Sequence, residues 1–328
     1  MSDTTGPRDL GSAGPGSTPP DEVSLFRRFL PDIDHRTTGE VLAHPGFAQM
    51  RRHYIDSTMA RYEFARFPGG WQSTAFRVAA IGMIVCLSSA YDPEDRATWP
   101  TLTRFKEVMA TLALASARQI DDFIARLVET DYVVHERVAA DGRLRLLRPT
   151  DRLLAWDREV MGAYYDSLQI LYPDPGYGMA VARDPEFHRI QRRVSTSYLP
   201  QISGFIQDNV DLLPFLGMYQ GVNTLMKVAN QSPDVHPRPG YEQVFAELQA
   251  KFGMSRSHIR NILSLAEEAD LLTGAGPGRK DIALTPRGLA AIDRFVADTL
   301  SSSDLGYRLA LAELGHPIEP PTRVPSTL

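Results

Sequence analysis

Residues 252–272 read FGMSRSHIRNILSLAEEADLL, and the order of polar and apolar residues in this stretch decides the fold. Its apolar residues recur at the three- and four-residue steps of one helix face: Ile259, Ile262, Leu263 and Ala266. Ser255 is a favoured N-cap residue, and Gly253 suits the left-handed backbone that ends a helix. The stretch therefore predicts two helices joined by a tight turn, Tyr241–Phe252 and Ser255–Glu268.

The same pattern occurs earlier in the chain, where residues 116–133 read SARQIDDFIARLVETDYV. Aligning Ser116 with Ser255 superimposes the two sets of apolar positions, which in the first copy are Ile120, Phe123, Ile124 and Leu127. Downstream, PTDRLLAWD from Pro149 aligns with TPRGLAAID from Thr285, and the second copy is shorter in between. Because such length variation belongs in an exposed loop, the sequence predicts two copies of helix, turn, helix, hairpin, helix.

The second copy predicts a surface that contacts DNA. The face of its second helix that turns away from the core, together with its flanks, carries Arg256, Ser257, His258, Arg260, Asn261 and Ser264. A helix fits the major groove, where Arg and Asn side chains can pair with the edges of bases. Two short predicted strands follow around the sequence GPGRKD, whose tip presents Arg279 and Lys280 to the DNA backbone.

The stretch FGMSRSHIRNILSLAEEADLL…GRKDIALTPRGLAAI resembles the winged helix-turn-helix of MarR-type and related bacterial transcriptional regulators. The resemblance covers Phe215–Leu300, with a weaker echo over Thr74–Asp157. It implies that the Ser255–Glu268 helix reads the groove and that the Gly274–Asp281 loop is the wing. Such regulators usually carry one DNA-binding unit per chain and dimerise through terminal helices, whereas this chain carries two copies of the unit.

The outward face of the first copy differs from that of the second. Asp121 and Asp122 stand where the second copy has Arg260 and Asn261, and carboxylates repel a groove lined by phosphates. The first hairpin, by contrast, is the more basic one, and its candidate DNA-contacting residues are Arg143 and Arg145. The first copy is therefore expected either to touch DNA through its hairpin alone or to serve as a packing module.

The pattern divides the chain into six segments. They are a disordered tail (1–22), a helical segment (23–70), the first winged helix (71–158), an aromatic-rich helical connector (159–214), the second winged helix (215–300) and a tail (301–328). The fold class predicted is mainly α with small β-wings. The aromatic residues of the connector predict a packed core or dimer interface, and alternatively a pocket for a ligand.

Composition narrows the function. The net charge of −5 gives no overall attraction to nucleic acid, so DNA binding requires a local basic patch. The single cysteine, Cys86, excludes an internal disulfide and a cysteine zinc cluster, which is typical of a reducing cytoplasm. The sequence shows no histidine cluster, Walker loop or GxSxG motif, so we expect no metal, no cofactor and no enzymatic activity.

The function predicted from these patterns is a cytoplasmic transcriptional regulator that binds double-stranded DNA, forms a homodimer and uses the second copy for major-groove contacts. The alternative is an architectural or protein-interaction protein with tandem winged helices and no sequence-specific DNA binding. A third hypothesis is a sensor that takes an apolar small-molecule effector in the connector.

Overall fold

The computed structural model describes residues 33–138, 141–201, 208–230, 241–275 and 282–321. Over these residues the chain forms thirteen α-helices and two antiparallel sheets of two strands each. The predicted fold class, mainly helical with small β-hairpins, is confirmed at that level. The predicted disordered tail, 1–22, lies outside the described residues.

The first half of the chain, up to the end of the sixth helix, contains α1 (Thr38–Ala43), α2 (Phe47–Met59), α3 (Ala75–Ser89), α4 (Leu102–Thr111), α5 (Ala117–Glu129), β1 (Val133–Val138), β2 (Asp141–Pro149) and α6 (Asp151–Leu171). Short 3-10 turns occupy Pro68–Gly70 and Arg96–Thr98. We call the segment from α3 to the start of α6 the first unit.

The second half contains α7 (Gly178–Val181), α8 (Pro185–Ser195), α9 (Leu213–Leu216), α10 (Gly221–Ala229), α11 (Tyr241–Phe252), α12 (Arg256–Glu268), β3 (Leu272–Thr273), β4 (Ala283–Leu284) and α13 (Pro286–Glu313). A 3-10 turn spans Thr196–Gln201. We call the segment from α10 to the start of α13 the second unit. Both units have the same order of elements: three helices, a two-stranded hairpin and a closing helix.

The two units also share their local geometry. The hydroxyl of Ser116 accepts the backbone N–H of Gln119 at the start of α5, and that of Ser255 accepts the N–H of His258 at the start of α12. Both α5 and α12 are followed by an aspartate in the left-handed region, Asp131 and Asp270, each with φ 57°. The repeat seen in the sequence is therefore a repeat of backbone conformation.

The structure shifts the alignment of the two closing helices by one residue relative to the sequence alignment. Thr150 and Thr285 are the equivalent residues, because each hydroxyl donates to the carbonyl of the left-handed aspartate, at 2.9 and 2.7 Å. In the sequence alignment Thr285 instead matched Pro149. With the structural alignment, buried Asp157 of α6 occupies the position of buried Ile292 of α13. The two closing helices thus differ at an interior position.

The hairpins differ in length. In the first, β1 and β2 pair from Val133↔Pro149 to Arg137↔Arg145. Thr101, just before α4, forms an isolated β-bridge with Leu146. In the second, β3 and β4 pair only at Leu272↔Leu284 and Thr273↔Ala283. The loop that the sequence predicts as the second wing is described only up to residue 275.

Most buried apolar residues of both units and of the helices between them form one contiguous core, and Tyr198 and Leu305 form a small separate cluster. Within it α2 packs on α6, α1 packs on α13, and α8 lies against both α3 and α13. Helices α6 and α13 run through residues 158 and 300, where the sequence predicts segment boundaries. Part of the predicted tail 301–328 is helical and buried, from Ser301 to Ala310.

Hydrogen bonds tie the start of the described chain to its last helix. The hydroxyl of Thr38 donates to the carboxylate of Asp298 at 2.6 Å. The buried carboxylate of Asp304 accepts the backbone N–H of Arg36 and the hydroxyl of Tyr177, both at 2.7 Å. Because buried carboxylates need such donors, these contacts fix α1 and α7 against α13.

Candidate DNA-contacting surface and central cavity

The structure places four of the predicted DNA-contacting residues together on the exposed face of α12. The inward residues of this helix, Ile259, Ile262, Leu263 and Ala266, are fully buried, which confirms the predicted helix face. The opposite face exposes Ser257, Arg260, Asn261 and Ser264. Among the described residues, Arg260, Asn261 and Ser264 have no hydrogen-bonded or ion-paired side-chain partner, so their polar groups are available to a ligand.

Two other predicted residues of α12 are held by neighbouring elements instead. The guanidinium of Arg256 pairs with the carboxylate of Glu242 on α11 at 2.7 Å. The ring of His258 stacks on that of Tyr219 with centroids 5.1 Å apart, and its Nε2 lies 2.8 Å from the carbonyl oxygen of Tyr219. Since a carbonyl only accepts, Nε2 carries the proton. His258 therefore fastens α12 to the loop before α10.

The structure describes only some of the hairpin residues that the sequence predicts to contact DNA. Arg145 is exposed on β2, and Arg143 lies two residues earlier on the same strand. Arg148 is instead engaged, with Nε 3.2 Å from Glu136 and its guanidinium over the ring of Tyr91. Arg279 and Lys280, at the tip of the second hairpin, lie outside the described residues.

The equivalent face of α5 is acidic where that of α12 is basic. Asp121 and Asp122 are exposed. The carboxylate of Asp121 pairs with Lys106 on α4 at 2.5 Å, and that of Asp122 lies 4.0 Å from Arg118 on α5. Both ion pairs are at the surface, where such pairs contribute little to stability, and they place a cation beside each carboxylate.

A cavity of about 350 Å³ lies where the two units meet. It is lined by the first and last helices of both units (α3, α6, α10 and α13), by α2 and α8, and by the loop before α10. Its apolar lining includes Val78, Met83, Val160, Met161, Phe215 and Met226, and its hydroxyl groups include those of Tyr54, Tyr62, Tyr164, Tyr198, Thr58 and Thr299. This volume falls within the range of small-molecule binding sites in proteins.

The charged side chains that line the cavity among the described residues are Asp157 and Arg192, and they neutralise one another. Nε and Nη2 of Arg192 donate to the two carboxylate oxygens of Asp157 at 2.7 and 2.5 Å. Nε2 of His188 donates to the same carboxylate at 2.7 Å. Burial alone would raise the pKa of Asp157, but Arg192 and His188 lower it to about 2.

The tyrosine hydroxyls of the cavity stay neutral at physiological pH. Burial raises the pKa of Tyr54 and Tyr62 well above the ordinary value, and it raises that of Tyr198 to about 12. Burial likewise raises the pKa of the Cys86 thiol, which also lines the cavity, to about 11. The cavity thus presents apolar surface and uncharged donors and acceptors around one compensated ion pair.

One buried acceptor in the cavity wall has no partner. Gln191 of α8 is 2% exposed, and its Oε1 makes no hydrogen bond to any described residue. Because an unpaired buried acceptor costs free energy, this atom disfavours the packing around α8.

The described residues contain no group of three or more His, Cys, Asp or Glu side chains arranged to hold a metal ion. None of the helices that the structure describes is long and apolar enough to cross a lipid bilayer. Comparisons with models of protein families, with curated proteins and with solved structures found no match to this chain. The candidate function therefore depends on the geometry of these two sites.

Sequence patterns missed the cavity, the Asp157–Arg192 pair and the role of Tyr219. Aromatic enrichment between residues 163 and 220 was the one signal for a pocket, and only part of the cavity wall comes from there. The rest is contributed by helices far apart along the chain, so periodicity within any one helix does not reveal it.

Proposed function

We propose that the protein is a DNA-binding transcriptional regulator in which the second unit is a winged helix-turn-helix. In this proposal α12 enters the major groove of double-stranded DNA, and the β3–β4 hairpin is the wing. The single observation that carries the proposal is the exposed face of α12, where Arg260, Asn261 and Ser264 have no partner among the described residues.

The chemistry of this face suits base contacts. A guanidinium can donate two hydrogen bonds to guanine, and the amide of an asparagine can both donate to and accept from adenine. Ser257 and Ser264 are short, so the helix backbone can approach the bases closely. Arg279 and Lys280 are assigned to phosphates, which would supply the affinity that does not depend on sequence.

The first unit takes a different part in the proposal. Its α5 presents Asp121 and Asp122, which disfavour entry into a groove. Exposed Arg145 on the longer hairpin, with Arg143 on the same strand, leaves this unit a possible contact with the DNA backbone. Two chains would form a homodimer and place two α12 helices on half-sites about 34 Å apart, one turn of DNA.

The proposal predicts that Arg260→Ala combined with Asn261→Ala abolishes sequence-selective DNA binding. Each bidentate contact to a base contributes about 1–3 kcal/mol of discrimination, so loss of both lowers the preference for the selected site at least tenfold. The site is first selected from random duplexes with the wild-type protein. Affinities for that site and for an unrelated duplex are then measured by fluorescence anisotropy at several salt concentrations.

The matched control is Arg118→Ala on α5, which removes one positive charge from the equivalent helix of the first unit. It is expected to keep the site preference. Far-UV circular dichroism of the double variant should equal that of the wild type, because both side chains are exposed. A wild-type protein that shows no salt-dependent binding to DNA at low ionic strength would refute the proposal and favour the protein-interaction alternative.

A further inference from the structure

The position of the cavity connects the two units to one another. Helices α3 and α10, which open the two units, and α6 and α13, which close them, all contribute to its wall. A molecule in the cavity would therefore contact both units at once. Binding there favours the relative arrangement of the units that fits the molecule best.

The lining specifies the kind of molecule. A charged ligand would need an uncompensated countercharge, and the charged groups of the described wall are the mutually paired Asp157 and Arg192. Tyrosine and threonine residues of the wall supply uncharged hydroxyl groups that can accept hydrogen bonds. The complementary ligand is an uncharged, mainly apolar molecule that carries a hydroxyl or amine donor.

The cavity is also linked to α12. Met218 and Gln220 line it, and Tyr219 between them contacts the second unit. The hydroxyl of Tyr219 donates to the carbonyl of Phe252, at the end of α11, and its carbonyl accepts from His258 on α12. Tyr219, in the loop that lines the cavity, thus holds both α11 and α12, the helices on either side of the turn.

Gln220 anchors the same loop from the cavity side. Its backbone is left-handed, with φ 52°, and its Nε2 donates to the carbonyl of Tyr62 at 3.1 Å. Its backbone N–H donates to the carbonyl of Ser73 at 3.1 Å. Because Tyr62 and Ser73 also line the cavity, a molecule inside touches the groups that fix this loop.

We propose that the cavity binds an uncharged, mainly apolar small molecule with a hydrogen-bond donor, and that this binding changes the DNA affinity of α12 through the Tyr219–His258 contact. The second part rests on the proposed function; the first does not. His258 acts in this scheme as a positioning residue for α12.

The binding part is tested with N-phenyl-1-naphthylamine, an uncharged aromatic amine whose fluorescence rises in apolar surroundings. We expect a saturable signal with one molecule per chain, displaced by 4-phenylphenol and at least tenfold less well by biphenyl-4-carboxylate. Ala79→Phe, which fills the cavity from α3, should weaken binding at least tenfold, whereas Ala110→Phe on the exposed side of α4 should not. If Ala79→Phe does not fold, Val222→Phe fills the cavity from α10.

Failure of the dye to bind the wild type, or unchanged binding by a folded cavity-filling variant, would overturn the site. The regulatory part is tested by measuring DNA affinity with and without saturating 4-phenylphenol. We expect a change of about fivefold or more, the lower range of allosteric coupling. His258→Ala should remove that change and leave the affinity for the dye as in the wild type.

The outcomes separate the two proposals. If the protein binds the dye in the cavity but does not bind DNA, the proposed function fails and the ligand site stands. If it binds both while 4-phenylphenol leaves DNA affinity unaltered, the coupling is refuted. If His258→Ala lowers DNA affinity equally with and without 4-phenylphenol, His258 contacts DNA directly and does not transmit ligand binding.

Discussion

Asp157 occupies, in the first unit, the interior position that Ile292 occupies in the second. Its carboxylate is 2% exposed and accepts from both Arg192 and His188. Taking a charge out of water is costly unless its partners compensate, and removal of one partner leaves the other charge buried and unpaired. The fit of α8 against α6 therefore depends on this pair.

We predict that Asp157→Asn destabilises the protein by about 3 kcal/mol, because the Arg192 guanidinium then has no countercharge. Asp157→Ile combined with Arg192→Met should recover most of the loss, since an apolar pair of similar volume carries no buried charge. Urea unfolding at pH 7, followed by circular dichroism, measures both. A single variant as stable as the wild type would contradict this account.

The same pair predicts how stability depends on pH. The folded pKa of Asp157 is about 2, below its ordinary value of 3.8. A depressed carboxyl pKa contributes stability that is present above pH 4 and lost as the pH falls toward 2, here about 2 kcal/mol. The stability difference between wild type and Asp157→Asn should therefore narrow over that interval in urea titrations.

At the scale of elements, the turns before α5 and α12 differ in length, but each contains one residue in the left-handed region. Gly253 has φ 64° and Ala113 has φ 51°, so both are in the left-handed region, where a Cβ is disfavoured. A Cβ at Gly253 would meet no atom closer than the Phe64 ring at 3.8 Å. Backbone strain, and not crowding, then decides the effect of substitution there.

We expect Gly253→Ala to lower the free energy of unfolding by about 1 kcal/mol, and Ala113→Gly to raise it by a smaller amount. The gain at residue 113 is smaller because a glycine also makes the unfolded chain more flexible. Both are read from the midpoints of urea unfolding curves. Destabilisation by Ala113→Gly as large as that by Gly253→Ala would contradict the assignment of these effects to backbone strain.

Local patterns predicted what local interactions determine. Apolar spacing gave the inward faces of α5 and α12, Ser116 and Ser255 gave their N-caps, and Gly253 gave the end of α11. Local patterns misaligned the closing helices. Only the hydrogen bond from Thr150 to Asp131 shows that Thr150, and not Pro149, is equivalent to Thr285. Hairpins of different length hide such a shift from the sequence.

Contacts between distant parts of the chain were beyond such patterns. Asp157 and Arg192 lie on different helices, and neither residue type signals that it is buried. Helix α9 ends at Leu216 and α10 begins only at Gly221, because the chain turns at left-handed Gln220 to form the wall of the cavity. The outward residues of α12 are exposed as the spacing predicts, whereas Arg256 and His258 have partners on other elements.

At the scale of the whole molecule, one continuous core joins both units to the helices between them. We predict a single cooperative thermal transition, with a calorimetric enthalpy equal to the van't Hoff enthalpy. Differential scanning calorimetry of the full chain measures both enthalpies. Two resolved transitions would mean that the units unfold independently, and the shared cavity would then not hold them together.

The Asp157–Arg192 pair also constrains how this sequence can change over generations. A single replacement at either position strands a charge in the interior, whereas two simultaneous replacements do not. We therefore expect Asp157 and Arg192 to be replaced together, although they lie on separate helices. If the two units descend from one duplicated ancestor, they ceased to be interchangeable when this pair arose, since a copy with isoleucine at this position offers Arg192 no carboxylate.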